Sequence, residues 1–155
     1  MATPDFVLAL RDKIGTAPLW LSGITAVVIR DGDVLLVRRS DTGAWTPVTG
    51  IIDPGEHPAV AAARETLEEA DIVASVDVLA WVGVTGPVVY PNGDQSQYID
   101  LVFRCSYVAG EPFPADGENT EVAWFPLDAL PVMSDEMRSR IQHAVDATGE
   151  ARFLL

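Results

Sequence analysis

The sequence predicts an α/β fold of the α+β kind, in which a mixed sheet carries helices on both sides. Three observations predict it. β-branched runs recur along the chain, helical periodicities with recognisable start signals lie between and after them, and clusters of turn formers separate the two kinds of segment. No repeat, linker or low-complexity tract interrupts the order. Residues 1–155 are therefore expected to form a single domain, with residues 1–20 supplying an N-terminal helix and a lead-in segment. At 48% apolar and 21% charged residues, the chain has the composition to bury one core.

Thr3-Pro4-Asp5 reads as an N-cap, a proline at the first helical position and an acidic first turn. Phe6, Val7, Leu10 and Ile14 form one side of this helix and Gly15 ends it. The helix lies on the core or in the subunit contact of a homodimer; the sequence leaves both open. Ile24 to Arg30 and Val34 to Arg38 read as paired strands around Asp31-Gly32-Asp33. Alternation sends Arg38 and Arg39 to opposite faces, so only one of them can readily enter a cleft and meet phosphate. Trp45 follows, as a core residue or as a stacking platform for a base.

Pro54-Gly55 makes a turn, and Pro58 suits the first position of a helix whose N-cap is His57. Val60, Ala63, Leu67 and Ala70 form an apolar stripe on it. Val73 to Val84 and Tyr98 to Val108 are long β-prone stretches. The turn-rich loop from Gly86 to Asp94 joins them and is the expected place of substrate selection, with Tyr90 as the candidate for stacking on a base. After the Gly110 to Gly117 connection come a last strand from Val122 to Phe125 and a short turn of helix from Pro126 to Pro131. Ser134 then caps a final helix with Met137, Ile141 and Val145 on its inner side.

The chemistry centres on Glu65, Glu68 and Glu69. On a helix they fall within roughly a 100° arc, so three like charges share one face. Such a cluster is costly without a cation between the oxygens, and oxygen donors suit a hard divalent ion such as Mg2+ or Mn2+. The Glu-rich octad alone also fits a solvated acidic helix face.

Spacing adds what the octad lacks. Gly50, five positions, Glu56, seven positions, Arg64-Glu65, two positions and Glu68-Glu69 form a pattern closed by the apolar Ile72, and in it the chain resembles the Nudix hydrolases. Thr66, where an aliphatic residue is more common, and Asp71, in place of a glycine, depart from the usual form and bear on packing and capping. The resemblance implies a Nudix-like α/β/α sandwich. It implies a Mg2+- or Mn2+-dependent hydrolase of the nucleotide pyrophosphatase type, which cleaves the diphosphate linkage of a nucleoside diphosphate joined to another moiety. The Gly50 carbonyl, Glu68 and Glu69 would be metal ligands, and Glu65 a further ligand or the general base. Arg64 would orient Glu65 or Glu56 by a forked hydrogen bond, with Glu56 supporting the ligands from behind. Glu118 is a candidate extra ligand or base and Glu121 its weaker rival. The competing reading is a catalytically silent Nudix-like nucleotide-binding or regulatory module, although such modules usually lose signature carboxylates and none is missing here.

Other classes are disfavoured. Ten Lys and Arg against 23 Asp and Glu give a net charge of −13, which opposes a nucleic-acid polymer as partner. The expected partner is a small nucleotide or dinucleotide polyphosphate, reached through metal and local arginines. No apolar run has the roughly 18 residues of a membrane helix and the N-terminus lacks a signal-peptide pattern, so a cytoplasmic location is expected. Cys105 is the single cysteine and reads as buried and inert. His57 and His143 are not at ligand spacing, which disfavours zinc.

Overall fold

The computed structural model describes residues 3–155. Its elements are α1 (Asp5–Ile14), β1 (Leu19–Arg30), β2 (Asp33–Arg39), β3 (Trp45–Thr46), β4 (Val48–Ile51), α2 (Pro58–Ala70), β5 (Ile72–Val84), β6 (Val88–Val89), β7 (Gln95–Gly110), β8 (Asn119–Pro126) and α3 (Asp135–Val145). The sheet runs β3-β2-β1-β7-β5, with β4 also pairing β1, β6 pairing β7 and β8 pairing β2. It is mixed because β1 and β7 run parallel in register from Leu19↔Ser96 to Ile29↔Ser106, whereas β1 meets β2 and β4 antiparallel.

Strand alternation divides the core between two faces. Ile24, Ala26, Val28, Leu35 and Val37 pack against Ala61, Ala62 and Ala70 of α2. Their odd-and-even neighbours Val27, Val34 and Leu36 pack with Val102 against Ile141 and Ala144 of α3. Val7 of α1 joins Leu21, Ile51 and Tyr98 in a smaller cluster. Helices therefore cover both faces of a mixed sheet, which is an α+β arrangement. Cys105 is buried on the α2 face, and burial pushes its thiol up to about 12. Among the described residues no helix is long and apolar enough to cross a membrane.

Several local expectations are corrected. Helix α1 begins at Asp5 with Pro4 at the cap and no side-chain cap bond, so Thr3 does not cap it. Leu10 and Ile14 remain about two-fifths exposed while Val7 is buried, because the helix rests on the sheet through its first two turns. Of the apolar stripe read on α2, Ala70 is buried and Ala63 partly so, but the two large residues are not. Val60 and Leu67 are 56% and 48% exposed, and the buried side is Ala61, Ala62, Glu65, Thr66, Glu69 and Ala70. Thr66 is satisfied there by donating to the Ala62 carbonyl at 2.8 Å. His57 makes no side-chain cap bond, and the segment after β8 is a turn closed by Ala129 N–H to Pro126 O, not a turn of helix. Ser134 does cap α3, accepting from the Met137 amide at 3.2 Å.

Helix α2 stops at Asp71, which takes the left-handed conformation at φ 56°, ψ 31°. A branch at Cβ resists that region, and Asp tolerates it better than most residues. The turn delivers the chain straight into β5, whose first residue Ile72 pairs with Gly110.

Candidate active site

Strand β4, the loop after it and helix α2 form one polar unit held together by Arg64. Its Nε and Nη2 fork onto the two oxygens of Glu56 at 2.8 and 2.9 Å, and Nη2 also donates to the Ile51 carbonyl at 3.3 Å. Nη1 donates to Glu65 Oε1 at 3.0 Å and to Glu68 Oε2 at 3.1 Å. Glu56 accepts in addition from the Asp53 amide, which ties the loop to the helix. These bonds hold the Glu56 carboxyl below its usual range, and the same carboxylates hold the guanidinium's proton more firmly still.

The three signature carboxylates differ in environment. Glu65 and Glu69 are 1% and 4% exposed, whereas the Glu68 side chain is 52% exposed. Glu65 lies directly over Gly50, where an added Cβ would overlap its carboxyl group. Its Oε2 is buried and has no hydrogen-bond partner among the described residues. Asn119, at the start of β8, donates to Glu69 Oε2 at 3.2 Å. Burial pushes the Glu65 carboxyl up to about 7 against the pull of Arg64, and burial with the charge of Glu65 pushes Glu69 upward as well. A buried carboxylate oxygen without a donor, beside a second buried carboxylate and a backbone strand, suits a hard divalent cation. Among the described residues no three acidic side chains converge closely enough to chelate one ion, because Arg64 holds Glu68 toward solvent.

A cavity of about 710 Å³ opens on the face of the sheet that α1 and α3 cover. That size is typical of small-ligand sites. Gly23, Tyr98 and Asp100 line its floor, Val7 and Arg11 of α1 one wall, and the loop carrying Tyr90 another. Gly50, Arg39 and Glu118 line it too, so the cavity meets the carboxylate unit. A smaller hollow of about 310 Å³ between α3 and Leu127–Leu130 lies away from these carboxylates.

The profile of the NUDIX domain matches residues 21–147. The chain belongs to the Nudix hydrolase family. Its Nudix relatives include a MutT-like protein of Streptomyces ambofaciens, 34% identical over 85% of this chain and 81% of that one. An NAD-capped RNA hydrolase NudC of Pseudomonas aeruginosa is 30% identical over 81% of this chain, which spans only 43% of that relative's length. Among solved structures, a MutT NUDIX hydrolase from Burkholderia pseudomallei is 26% identical with a TM-score of 0.67, over 81% of this chain and 98% of that one. A UDP-X diphosphatase at 21% identity shares the Nudix fold, with a TM-score of 0.70 over 100% of this chain and 76% of that one. Helix α1 lies before the matched span.

The residues singled out from the sequence sort themselves around this Nudix site. Arg39 lines the cavity, with Nε and Nη2 on Asp41 at 2.9 and 2.7 Å, whereas Arg38 is exposed and pairs with Glu121 at 2.6 Å. That pair corrects two candidates at once, since Arg38 and Glu121 spend their charges on each other at the surface. Trp45 is no stacking platform in this fold. It packs edge-on against Phe125, 4.8 Å between centroids, among residues of the α3-side core. Tyr90 lines the cavity half-buried, and its hydroxyl meets that of Tyr98 at 2.7 Å, which with burial pushes the phenol's pKa upward.

Three residues on the site escaped the sequence reading. Asn119 could have been sought beside Glu118. Asp100, an acid inside an apolar strand, carries its own signal. Arg11 carries none, yet it donates to the carbonyls of Ala17 and Gln95 at 2.5 and 2.7 Å and to Ser96 Oγ at 3.2 Å, fastening α1 to the start of β7.

Proposed function

We propose that this Nudix protein hydrolyses the diphosphate linkage of a small nucleoside diphosphate derivative with Mg2+ or Mn2+ bound at α2. The observation that carries the reading is the buried Glu65 Oε2, which no described residue donates to, beside Glu69 and over Gly50. Glu65, Glu69 and the Gly50 carbonyl would hold the ion, with Glu68 joining when it leaves Arg64. A bound divalent ion neutralises phosphate oxygens and lowers the pKa of a bound water.

The chain's own residues supply the rest. Arg64 fixes Glu56 and Glu65 in one geometry, so the ligand set is pre-positioned. Arg39 lines the cavity as Gly50 does and is forked onto Asp41, from which it could turn to meet a phosphate. Glu118 lines the cavity and Glu65 does not, so Glu118 is the better placed of the two to take a proton from water in the cleft. The net charge of −13 repels a polyanion from most of the surface and favours a small substrate over an RNA or DNA chain. Relatives in this family carry names that specify NAD-capped RNA and 8-oxo-dGTP as substrates, and a cavity of about 710 Å³ has the volume for a nucleotide.

A phosphate-release screen over nucleoside triphosphates, nucleotide sugars, ADP-ribose and dinucleoside polyphosphates, with Mg2+ and with Mn2+, tests this. Turnover that stops on chelation supports it. Silence across the panel with nucleotide binding retained would identify a binding module instead.

A further inference from the structure

The cavity wall also holds a buried ionic group remote in sequence from the signature. Thr25, Asp100 and Arg140 are 0%, 3% and 6% exposed. Asp100 Oδ2 accepts from Thr25 Oγ1 at 2.9 Å and lies 3.3 Å from Arg140 Nη1. Arg140 Nη1 also donates to Thr25 Oγ1 at 2.9 Å, and Nη2 to Glu136 Oε1 at 2.5 Å. All of these bonds engage Oδ2. No described residue donates to Oδ1.

Oδ1 faces the cavity floor. Asp100 and Gly23 are register partners across β7 and β1 and both line the cavity. A Cβ placed on Gly23 would stand 3.5 Å from Asp100 Oδ1 and 3.4 Å from both the Gly50 carbonyl oxygen and the Tyr98 ring. The glycine thus keeps open the one space that connects the Gly50 carbonyl with the Asp100 carboxylate. Burial raises the Asp100 carboxyl although Arg140 and the bond from Thr25 pull the other way.

Charge and distance limit what fits there. Asp100 and Glu136 together outweigh Arg140, so the space beside Asp100 does not attract a phosphate. A carboxylate oxygen that borders the cavity and takes no bond from a described residue can accept from a donor on a ligand. Because this oxygen and the Gly50 carbonyl border the same small space, and the proposed function puts the diphosphate at Gly50, the donor would belong to the group bonded to the diphosphate. A nucleobase edge stands a whole sugar ring further away.

We propose that Asp100 is a specificity-determining residue whose Oδ1 accepts a hydrogen bond from a hydroxyl of the sugar bonded to the diphosphate, through the space that Gly23 leaves open. The inference rests on the diphosphate reading above and narrows the substrate class to hydroxylated sugars, ribose in preference to deoxyribose. A site built around such a bond discriminates strongly, because the analogue without the hydroxyl leaves a buried acceptor unpaired.

Calorimetric binding of ADP and UDP, each as the ribose, 2′-deoxy and 3′-deoxy form with Mg2+, tests it in the wild type, Asp100→Asn and Gly23→Ala. The wild type should prefer ribose over one deoxy form by about 10- to 100-fold, and each variant should cut that ratio to about threefold or less. Gly23→Ala has room for its methyl group and leaves Asp100 on Arg140, so it decides the matter if Asp100→Asn fails to fold. Equal affinity for all three sugars in the wild type, or an unchanged ratio in Gly23→Ala, overturns the role of Asp100. No binding by any of the nucleotides is a different result, which overturns the nucleotide reading beneath it.

Discussion

Gly50 and Glu65 occupy adjoining space so closely that a methyl group on the first would coincide with the carboxyl of the second. Gly50→Ala must therefore displace Glu65, the carboxylate with the buried unpaired oxygen. We expect a loss of about 10²-fold or more in kcat together with a destabilisation of about 1 to 3 kcal/mol. Urea unfolding and steady-state kinetics on the same preparation measure both. Unchanged kinetics would mean that Glu65 is not part of the catalytic apparatus.

The raised carboxyl of Glu65 makes the metal-free protein sensitive to pH. Its folded value of about 7 lies above the ordinary 4.5, so the folded chain binds this proton more tightly than the unfolded chain does. The stability linked to it is fully present below about pH 4.5 and is lost as pH rises through about 7; Glu69 shifts in the same direction. Glu56 and Asp41 shift the opposite way and act at lower pH, so the comparison belongs between pH 6 and pH 8. In EDTA, Tm should fall by about 3 to 8 °C over that interval, and Glu65→Gln should flatten the dependence. A Tm that rises toward pH 8 in EDTA would contradict it.

Arg38 and Arg39 are adjacent in sequence and opposite in placement. Arg39→Gln should raise KM about tenfold through loss of a phosphate contact, whereas Arg38→Gln, which breaks an exposed pair with Glu121, should change it by less than about twofold. Similar KM values for the two variants would remove Arg39 from the site.

Tyr90 and Tyr98 share a hydroxyl contact at the cavity wall. Tyr90→Ala should raise KM about tenfold with little change in kcat, the pattern of lost uniform binding. Tyr90→Phe keeps the ring and should stay within about threefold of the wild type in KM if the ring, not the hydroxyl, carries the contact. A sharp fall in kcat with constant KM would place Tyr90 in the catalytic step instead.

Asp71→Gly should stabilise the protein by up to about 1 kcal/mol with activity retained, because glycine enters the left-handed region more easily. A shift of the urea midpoint to higher concentration is the readout. Loss of activity would give Asp71 a part in the site.

Much of this was legible in the sequence because it is local. The Gly50-to-Ile72 spacing fixes a loop and one helix, and the turn signals around Asp31-Gly32 and Pro54-Gly55 set neighbouring boundaries. The buried side of α2 was not legible, because Glu65, Thr66 and Glu69 lie on it and the larger apolar residues Val60 and Leu67 do not. A site that buries its carboxylates inverts the pattern on which periodicity relies. Asp100 and Arg140 were invisible as a pair for another reason. They meet only because β7 docks parallel to β1 and α3 lies across that face, and neither arrangement leaves a mark within a short window.

The parallel ladder between β1 and β7, eleven register pairs long, has a consequence for how the molecule breathes and changes over generations. Amides in its middle, near Gly23 and Asp100, should exchange with deuterium only when the whole chain opens. Those of the 86–94 loop and of α1 should exchange through small local openings. The cavity floor and its walls thus belong to different cooperative units. Substitutions in the walls can reshape what the cavity admits at little cost to the rest of the chain, while a floor change too large for its site strains the whole ladder.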